Sequence, residues 1–377
     1  MAIVGAGAMG RGIIRVLQKT EDIRVVAVAD VNSLALEKVR SLLQPDTLVT
    51  TDSSKVFSKK PEVLVEATPT ILEAALLVER ALKGGTHVVL MNGEVDYTFG
   101  RLLARLAQAN HVILTSDAGD QHGVLIRMVD DVRLAGFEVV MAANNKGFLD
   151  HYATPDSIQE EAIKRRLTPK QCTAYTDGTK LAVEMALVAN AAGLGLLKMG
   201  MSGPALNNLT EATGAFDLEG ARKLGGVVDY VLGAKPGGGV FTIGYSDDEE
   251  DRFYMDYYKM GEGPYYQFIR PYHICHYETP KAIRGIIEDH RAILVQKKRM
   301  LEVGCRAKTD LQRGTLLEGI GGHHAYGLLE LPGELPIGLV EGTTLLREKK
   351  RDERITWDDV RFPENDMRLN LWREQGD

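Results

Sequence analysis

The sequence predicts an α/β protein in three parts, and three observations lead to that prediction. In the first third of the 377 residues, short β-branched segments alternate with amphipathic helical patterns, as in βαβ units around a parallel sheet. A long helical stretch and a glycine-rich strand region follow, which indicates an α+β domain. From Lys308 onward, short strands and turn residues replace the helices and indicate a small all-β unit.

The first part is predicted to hold six strands of one parallel sheet. They are Ile3-Val4 and residues 23–29, 48–50, 63–66, 88–91 and 112–114. Apolar residues recur at helical spacing between them, at Ile13, Val16 and Leu17, at Leu36, Val39 and Leu43, and at Leu72, Leu76 and Leu77. The pattern predicts a doubly wound sheet with helices on its faces.

The alternation of short strands and helices ends after the sixth strand. A helix at 124–132 and a strand at 137–142 are expected to lead into a loop at 144–147, where we place the first domain boundary. The predicted domains are 1–143, 144–305 and 306–377, with 262–305 able to return and pack on the first. In the second domain we expect a helix at 181–192 and strands within 225–245, and the acidic run 247–251 is predicted to be a solvated turn.

Composition and charge narrow the class of protein. With 44% apolar and 26% charged residues, the chain has the composition of a globular protein and not of a disordered, collagen-like or coiled-coil chain. A net charge of -7 without a long basic stretch argues against nucleic-acid binding. No apolar run approaches the roughly 18 residues that cross a bilayer, and Met1 leads into a strand with no basic leader. We therefore expect a cytoplasmic protein with no membrane partner.

Cysteine and histidine spacing argues against disulfides and metal sites. Cys172, Cys275 and Cys305 match neither a disulfide framework nor a zinc pattern. We predict no metal, since His273 and His276, and separately His323 and His324, lack enough partners at a known ligand spacing.

A glycine motif opens the chain and predicts a dinucleotide site. Gly5-Ala6-Gly7-Ala8-Met9-Gly10 follows a hydrophobic strand and begins a helix. Gly5 permits a tight turn, Gly7 lets the backbone approach a pyrophosphate, and Gly10 allows close packing of helix on strand. The helix amides and dipole then stabilise the phosphate charge. The alternative is a glycine turn that binds nothing. Only about three strand residues precede Gly5, which is expected if the start lies inside a longer chain.

Asp30 follows the second strand and strengthens this prediction of a Rossmann domain. It lies twenty residues past Gly10, where a carboxylate can accept hydrogen bonds from the adenosine ribose. A carboxylate there repels a 2′-phosphate, so NAD is preferred over NADP as cofactor. Thr68 and Asn92 end the fourth and fifth strands and are expected to contact the nicotinamide half, with turn formation or helix capping as the alternative.

Motifs along most of the chain carry a family resemblance. They are 90–96, 153–156, 177–180 with 183–185, 226–230, 263–266 with 270–273, 307–311 and 354–360. They resemble the homoserine-dehydrogenase-like oxidoreductases with a C-terminal SAF domain, a group that includes the 1-deoxy-D-xylulose 5-phosphate reductoisomerase-like enzymes of isoprenoid biosynthesis. The resemblance implies a Rossmann domain, an α+β catalytic and oligomerisation domain, a C-terminal SAF-like β unit and a homodimer or homotetramer.

Several polar residues of the middle part are candidates for the chemistry. Hydride transfer at a carbinol carbon needs a group that moves the hydroxyl proton, and a desolvated lysine can serve. Lys180 and Glu184 lie one turn apart on a predicted buried helix, with a solvent-facing ion pair as the alternative. The resemblance implies that Asp177 acts beside Lys180. Lys146 is expected to meet the substrate, or else to be an exposed loop lysine.

Three further residues are candidates for substrate binding. Asp120 begins the helix after the sixth strand, with an N-cap role as the alternative. Arg270 and His273 follow one another closely, and an arginine can hold a carboxylate or phosphate bidentately. A structural ion pair is the alternative for Arg270. Gly237-Gly238-Gly239 is predicted to be a glycine hairpin, with an anion-binding nest as the alternative.

These observations predict an NAD(P)-dependent oxidoreductase that acts on a CH–OH group of a small polar hydroxy or oxo substrate. A reductoisomerase-like activity on deoxyxylulose phosphate and a homoserine dehydrogenase activity are the two named options. A dinucleotide-binding sensor without turnover, and a scaffold whose C-terminal unit binds carbohydrate, are the competing hypotheses.

Overall fold

The structure is a computed structural model, and it describes residues 1–376. By contacts, the chain forms two compact units. Unit 1 contains Met1–Gly123, Ile274–Gln296 and the stretch from Glu364 onward, and unit 2 contains Val124–His273 and Lys297–Pro363. In this division the first segment of unit 1 ends at Gly123, and Ile274–Gln296 belongs to the same unit. The division into three domains stays a prediction.

Unit 1 is built on a six-stranded parallel sheet, as predicted. Its strands are β1 (Ala2–Val4), β2 (Ala27–Ala29), β3 (Leu48–Thr50), β4 (Val63–Glu66), β5 (His87–Leu90) and β6 (Leu114–Ser116). The order β3-β2-β1-β4-β5-β6 reverses direction beside β1, so a crevice opens at the carboxyl ends of β1 and β4. β2 is shorter than predicted because its partner β1 begins only at Ala2.

The helices of unit 1 cover both faces of this sheet. They are α1 (Ala8–Leu17), α2 (Ser33–Arg40), α3 (Leu72–Lys83), α4 (Gly93–Ala109), the start of α5 (Gln121–Leu134), α11 (Cys275–Ile287) and α12 (Met367–Glu374). Side-chain caps fix their starts: Asn32 accepts a hydrogen bond from the amide of Leu34, and Asp366 accepts from that of Arg368. Ile13, Ile14 and Leu17 bury the inner face of α1.

Unit 2 contains a mixed four-stranded sheet. Its strands are β7 (Glu138–Lys146), β8 (Val227–Leu232), β9 (Val240–Tyr245) and β10 (Tyr265–Arg270), in the order β10-β9-β7-β8. β7 runs parallel to β8 and antiparallel to β9, which is antiparallel to β10. The glycine-rich loop between β8 and β9 therefore crosses the end of β7, so the predicted hairpin there is wrong.

Helices and short strands complete unit 2. The helices are α6 (Gln159–Arg165), α7 (Pro169–Thr176), α8 (Thr179–Ala192), α9 (Leu218–Lys223) and α10 (Glu249–Tyr257). The strands β12 (Ala325–Glu330), β11 (Glu302–Ala307) and β14 (Arg354–Ile355) form one small sheet, and β13 (Thr344–Leu345) pairs with β15 (Val360–Arg361). α8 is the central helix, and every residue from Thr179 to Ala191 is buried.

Three predicted elements need correction. Asn144, Asn145 and Lys146 are the last residues of β7 and not a loop, because they pair with β8. The acidic run 247–251 begins helix α10, since Asp248 caps it by accepting hydrogen bonds from two backbone amides. The segment 306–377 is not all-β, because it ends in α12. Among the described residues, no helix is long and apolar enough to cross a membrane.

Candidate active site

The glycine motif has the geometry that a dinucleotide requires. Gly5 has φ +101°, and a Cβ there would lie 2.3 Å from the carbonyl oxygen of Ala67 on the loop after β4. A Cβ on Gly10 would lie 1.8 Å from the carbonyl oxygen of Gly5, so glycine is needed for α1 to pack this closely. Gly7 caps α1 and is exposed, and a Cβ there would meet nothing within 4 Å. Met9, in the first turn of α1, is half-buried.

Open space over Gly7 and the accessible start of α1 fit a bound diphosphate, because helix amides and dipole both favour an anion there. Asp30 stands beside this space at the end of β2. Its Oδ2 accepts a hydrogen bond of 2.6 Å from the amide of Ala6, and its Oδ1 accepts one of 2.8 Å from that of Asn32. The carboxylate is thus held in place next to the glycine loop, with lone pairs left for a ribose.

Asn92 ties together the ends of β4 and β5. Its Oδ1 caps α4 by accepting from the amide of Glu94, and its Nδ2 donates to the carbonyl oxygens of Thr68 and Thr70, both at 2.9 Å. The capping alternative for Asn92 therefore holds in this structure, and it positions Thr68. Whether either residue contacts a cofactor stays a prediction.

Glu66, which the sequence analysis did not single out, lies fully buried at the end of β4. Its Oε1 accepts hydrogen bonds from the amide of Thr68 at 2.7 Å and from its hydroxyl at 2.5 Å. Burial raises the pKa of Glu66 to about 7, against the opposing effect of the Thr68 hydrogen bonds. Its sequence context gave no signal, because a glutamate at the end of a strand is usually exposed to solvent.

Asp117 and Asp120 shape the turn between β6 and α5. Asp117 is fully buried and accepts hydrogen bonds from the amides of Gly119 and Asp120 and from the Thr279 hydroxyl on α11. Burial raises the pKa of Asp117 to about 7. Asp120 accepts from the amide of Gln121, the first residue of α5. These contacts order the turn that precedes α5, and substrate binding by Asp120 stays a prediction.

In unit 2, the carboxyl end of β7 faces α8. Asn144 is buried, and its Nδ2 donates to Glu184 Oε2 on α8 at 3.5 Å. Lys180, one turn before Glu184, is only 8% exposed, and its Nζ lies 4.9 Å from the centroid of the Tyr175 ring. This cation–π contact fits a desolvated lysine and argues against the solvent-facing ion pair. Lys180 and Glu184 therefore lie on the buried side of α8, as predicted.

Asp177 has a different partner from the one that the family resemblance implied. Its Oδ1 accepts a hydrogen bond from the amide of Thr179, and its Oδ2 lies 2.8 Å from the Nζ of Lys308. Lys308 also donates to the carbonyl oxygens of Ala153 and Gly322, each at 2.8 Å. The ammonium of Lys308 is thus held within unit 2 by one ion pair and two hydrogen bonds. Burial raises the pKa of Asp177, against the opposing effect of Lys308.

Lys308 was missed as a site residue because the sequence places it in the C-terminal β segment. The same segment contacts the start of α8 a second time, since the amide of Gly327 donates to the Thr179 hydroxyl at 2.8 Å. The Nδ1 of His151 donates to the carbonyl oxygen of Asp177, and the His151 ring stacks on Tyr326 of β12. The segment therefore helps to hold the first turn of the candidate catalytic helix.

The remaining candidates lie at the same end of the sheet of unit 2. Lys146 is the last residue of β7 and Arg270 is the last residue of β10. The Cζ of Arg270 lies 4.8 Å from the centroid of the Tyr272 ring. His273 Nδ1 lies 2.7 Å from the carbonyl oxygen of Gly238.

Two domain families match the chain. Residues 5–116 match the family described as homoserine dehydrogenase, NAD binding domain. Residues 119–279 match the family described as oxidoreductase DRL, catalytic domain. The first match contains the glycine motif, Asp30, Thr68 and Asn92, and the second contains α8 and the whole sheet of unit 2.

Solved structures are similar to the chain at low sequence identity. A homoserine dehydrogenase from Thiobacillus denitrificans is 21% identical over 51% of this chain and 48% of its own, with a TM-score of 0.37. The WlbA dehydrogenase from Bordetella pertussis, solved with NADH and UDP-GlcNAcA, is 17% identical over 42% of this chain and 48% of its own, with a TM-score of 0.34. The chain thus spans about half the length of these two proteins.

A hyperthermophilic archaeal homoserine dehydrogenase in complex with NADPH is 14% identical over 78% of this chain and 98% of its own, with a TM-score of 0.46. No curated protein matches the sequence. The domain matches agree with the predicted enzyme class and cofactor class: residues 5–116 are similar to a homoserine dehydrogenase NAD-binding domain, and residues 119–279 are similar to an oxidoreductase DRL catalytic domain.

Proposed function

We propose that the chain transfers a hydride between the nicotinamide of NAD(P) and the CH–OH carbon of a small polar hydroxy or oxo substrate. The observation that carries this proposal is the accessible amide end of α1 above Gly7, with Asp30 held beside it by the amide of Ala6. The bound cofactor supplies or accepts the hydride. The residues of this chain bind the cofactor and move the proton that accompanies the hydride.

Unit 1 would bind the cofactor through the amides at the start of α1 and the space that Gly7 leaves for the diphosphate. The amides at the start of α1 stabilise the diphosphate, and Gly7 leaves the space that the diphosphate needs. Asp30 accepts hydrogen bonds from the ribose hydroxyls and repels a 2′-phosphate. We therefore propose that NAD is preferred over NADP.

Unit 2 would move the proton that accompanies the hydride. Lys180 is our candidate to give a proton to the substrate oxygen during reduction, or to accept it during oxidation. Glu184 and Asn144 form a polar pair one turn along α8, where they can orient the lysine or the substrate. Asp177 forms an ion pair with Lys308 and accepts a hydrogen bond from the amide of Thr179. We therefore propose that Asp177 positions Lys180 and does not itself transfer a proton.

For the substrate, we propose a reductoisomerase-like activity on 1-deoxy-D-xylulose 5-phosphate, the option that the whole-chain resemblance favours. The matched NAD-binding family keeps homoserine dehydrogenase, acting on homoserine or aspartate semialdehyde, as the second candidate. A dinucleotide-binding sensor without turnover is the third.

The test is a set of four assays that follow NADH and NADPH oxidation separately with deoxyxylulose phosphate and with aspartate semialdehyde. We expect turnover with one substrate, and with NADH at least as good as NADPH. A hundredfold preference for NADPH would contradict our assignment of Asp30. Bound dinucleotide with no turnover on either substrate would instead support the sensor.

The variant Lys180→Ala tests the assignment of the proton donor. It should keep its affinity for the cofactor and lose at least about tenfold in turnover. Lys198→Ala, at an exposed position of unit 2, is the matched control and should behave as the parent. Equal turnover of the two variants would remove Lys180 from the mechanism.

We further propose that the SAF-like C-terminal segment has a structural role and that the enzyme is a homodimer or homotetramer. The contacts of Lys308 and Gly327 with the start of α8 support the structural role. Light scattering after size-exclusion chromatography measures the oligomer, and a monomeric mass at micromolar concentration would contradict it.

A further inference from the structure

Glu66 is the last residue of β4, where the crevice between β1 and β4 opens. In the sheet register it lies between Val4 of β1 and Leu90 of β5, which are both apolar and buried. The loop that follows Glu66 approaches the glycine motif closely, since a Cβ on Gly5 would lie 2.3 Å from the carbonyl oxygen of Ala67. The Glu66 carboxyl is therefore near the start of α1, where we expect the diphosphate.

The two oxygens of the Glu66 carboxyl have different surroundings. Oε1 accepts hydrogen bonds from the amide and the hydroxyl of Thr68, and Asn92 donates to the carbonyl oxygen of the same threonine. Oε2 is buried and has no hydrogen-bond partner within residues 1–376. By contrast, both carboxyl oxygens of the buried Asp117, just after β6, accept hydrogen bonds. The bare Oε2 needs an explanation, because a buried ionised carboxylate is costly unless its oxygens have partners.

A proton on the Glu66 carboxyl supplies that explanation. Burial raises the pKa of Glu66 to about 7, and the negative charge of Glu94 at the start of α4 acts in the same direction. The hydrogen bonds from Thr68 act in the opposite direction. Near neutral pH, Glu66 is therefore protonated in part of the molecules, and a change in the nearby charge alters that fraction.

A bound diphosphate is such a change in charge. It would lie at the start of α1, beside the loop that Glu66 holds through Thr68. A nearby anion disfavours the charged form of a carboxyl, and a bound cofactor also excludes water from the crevice. Both effects favour the protonated form of Glu66.

We propose that Glu66 is a positioning residue of the cofactor site: it holds Thr68 at the crevice and takes up a proton from solvent when a pyridine dinucleotide binds. The proton forms an O–H bond on the buried carboxyl, and no other covalent bond forms or breaks. The inference deepens the proposed function, on which it rests, by coupling cofactor affinity to pH. Because the bound state favours the protonated carboxyl, affinity should be highest at acid pH and should fall as the pH rises past the pKa of Glu66.

Calorimetry measures the proton uptake. We would titrate the full chain with NADH at about pH 7.5 in HEPES and in Tris, two buffers that differ in ionisation enthalpy, so that the difference in apparent binding enthalpy gives the number of protons taken up. If binding raises the pKa of Glu66 by about one unit from about 7, the parent should take up roughly half a proton. Glu66→Gln should bind NADH with almost no uptake, because the amide keeps an oxygen that can accept from Thr68.

The pH dependence of affinity gives a second measurement. Between about pH 6 and about pH 9, the NADH affinity of the parent should fall about fivefold or more, and that of Glu66→Gln should change less than about twofold. A merely structural role of Glu66 predicts weaker binding by the variant with the pH dependence unchanged, and that result would contradict the proposal.

His276→Gln is the matched control, because His276 is a second titratable group beside α1. It is half-buried, and a Cβ on Gly12 would lie 2.6 Å from its ring. This variant should keep the proton uptake of the parent. Uptake lost in His276→Gln and kept in Glu66→Gln would overturn the proposal. Binding of NADH to the parent without proton uptake would reject this inference and leave the proposed function standing, whereas no binding of NADH would reject both.

Discussion

Replacing Lys308 by methionine should destabilise unit 2 more than any other single lysine substitution in the C-terminal segment. The ammonium of Lys308 lies 2.8 Å from Asp177, and the two side chains are 1% and 0% exposed. Methionine has a similar length and removes only the charge and the two hydrogen bonds that the ammonium donates. The carboxylate and two carbonyl oxygens would then be left without their partner.

The expected loss follows from this burial. Breaking a buried ion pair from one side costs about 3–5 kcal/mol, because the remaining charge stays desolvated. Asp177 can relieve part of that cost by taking up a proton, since burial already raises its pKa. We therefore expect the free energy of unfolding to fall by about 4 kcal/mol near neutral pH. The difference from the parent should shrink as the pH is lowered.

Urea unfolding followed by tryptophan fluorescence measures this loss of unfolding free energy in unit 2. The chain has two tryptophans, Trp357 in unit 2 and Trp372 in unit 1, so Trp372→Phe leaves one reporter. Lys350→Met is the matched control, because its 3.1 Å ion pair with Asp310 is 63% and 56% exposed. The control should lose far less of its unfolding free energy, because solvent screens an exposed ion pair.

Adding Asp177→Asn to Lys308→Met should recover part of the loss, because a neutral amide is cheaper to bury than an unpaired carboxylate. The reasoning is refuted if Lys308→Met and Lys350→Met lower the unfolding free energy equally. It is also refuted if the second substitution only adds a further loss.

Other predictions concern unit 1 and the C-terminal segment. Gly7→Val should fold normally and lose at least about tenfold in dinucleotide affinity by calorimetry, whereas Gly10→Val, whose Cβ would lie 1.8 Å from a carbonyl oxygen, should lower the unfolding midpoint. Since the pKa of Glu66 is raised from 4.5 to about 7, its contribution to stability is present at acid pH and lost as the pH rises through that range. Glu66→Gln should therefore gain up to about 3 kcal/mol over the parent on going from acid to alkaline pH in urea unfolding. Deleting 306–377 should abolish cooperative unfolding of unit 2, and a deletion with full turnover would contradict that.

Local periodicity was enough to predict the parallel sheet and its cofactor edge. β3 and β4 have the predicted bounds, since both are short runs of apolar and β-branched residues between turn residues. Gly5 and Asp30 were found because the Rossmann motif fixes their spacing within one βαβ unit. The helices α10 and α12 were missed because their sequences are largely polar and solvated, and only an aspartate cap marks where each begins.

Long-range partners could not be predicted in the same way. The pairing of Asp177 with Lys308 joins residues far apart in sequence, and neither position carries a local pattern that names the other. The resemblance therefore suggested Lys180 as the partner of Asp177. Asn144 to Lys146 were taken for a loop because asparagine and glycine are typical of turns, whereas pairing with β8 keeps them in the strand.

The most direct test of the whole account is the binding of pyridine nucleotides to the purified chain. Titration calorimetry with NADH and with NADPH, repeated on Gly7→Val, should give one site per chain with micromolar affinity for NADH, and the variant should bind markedly less. If the parent binds neither nucleotide, the start of α1 is not a cofactor site and the account is wrong.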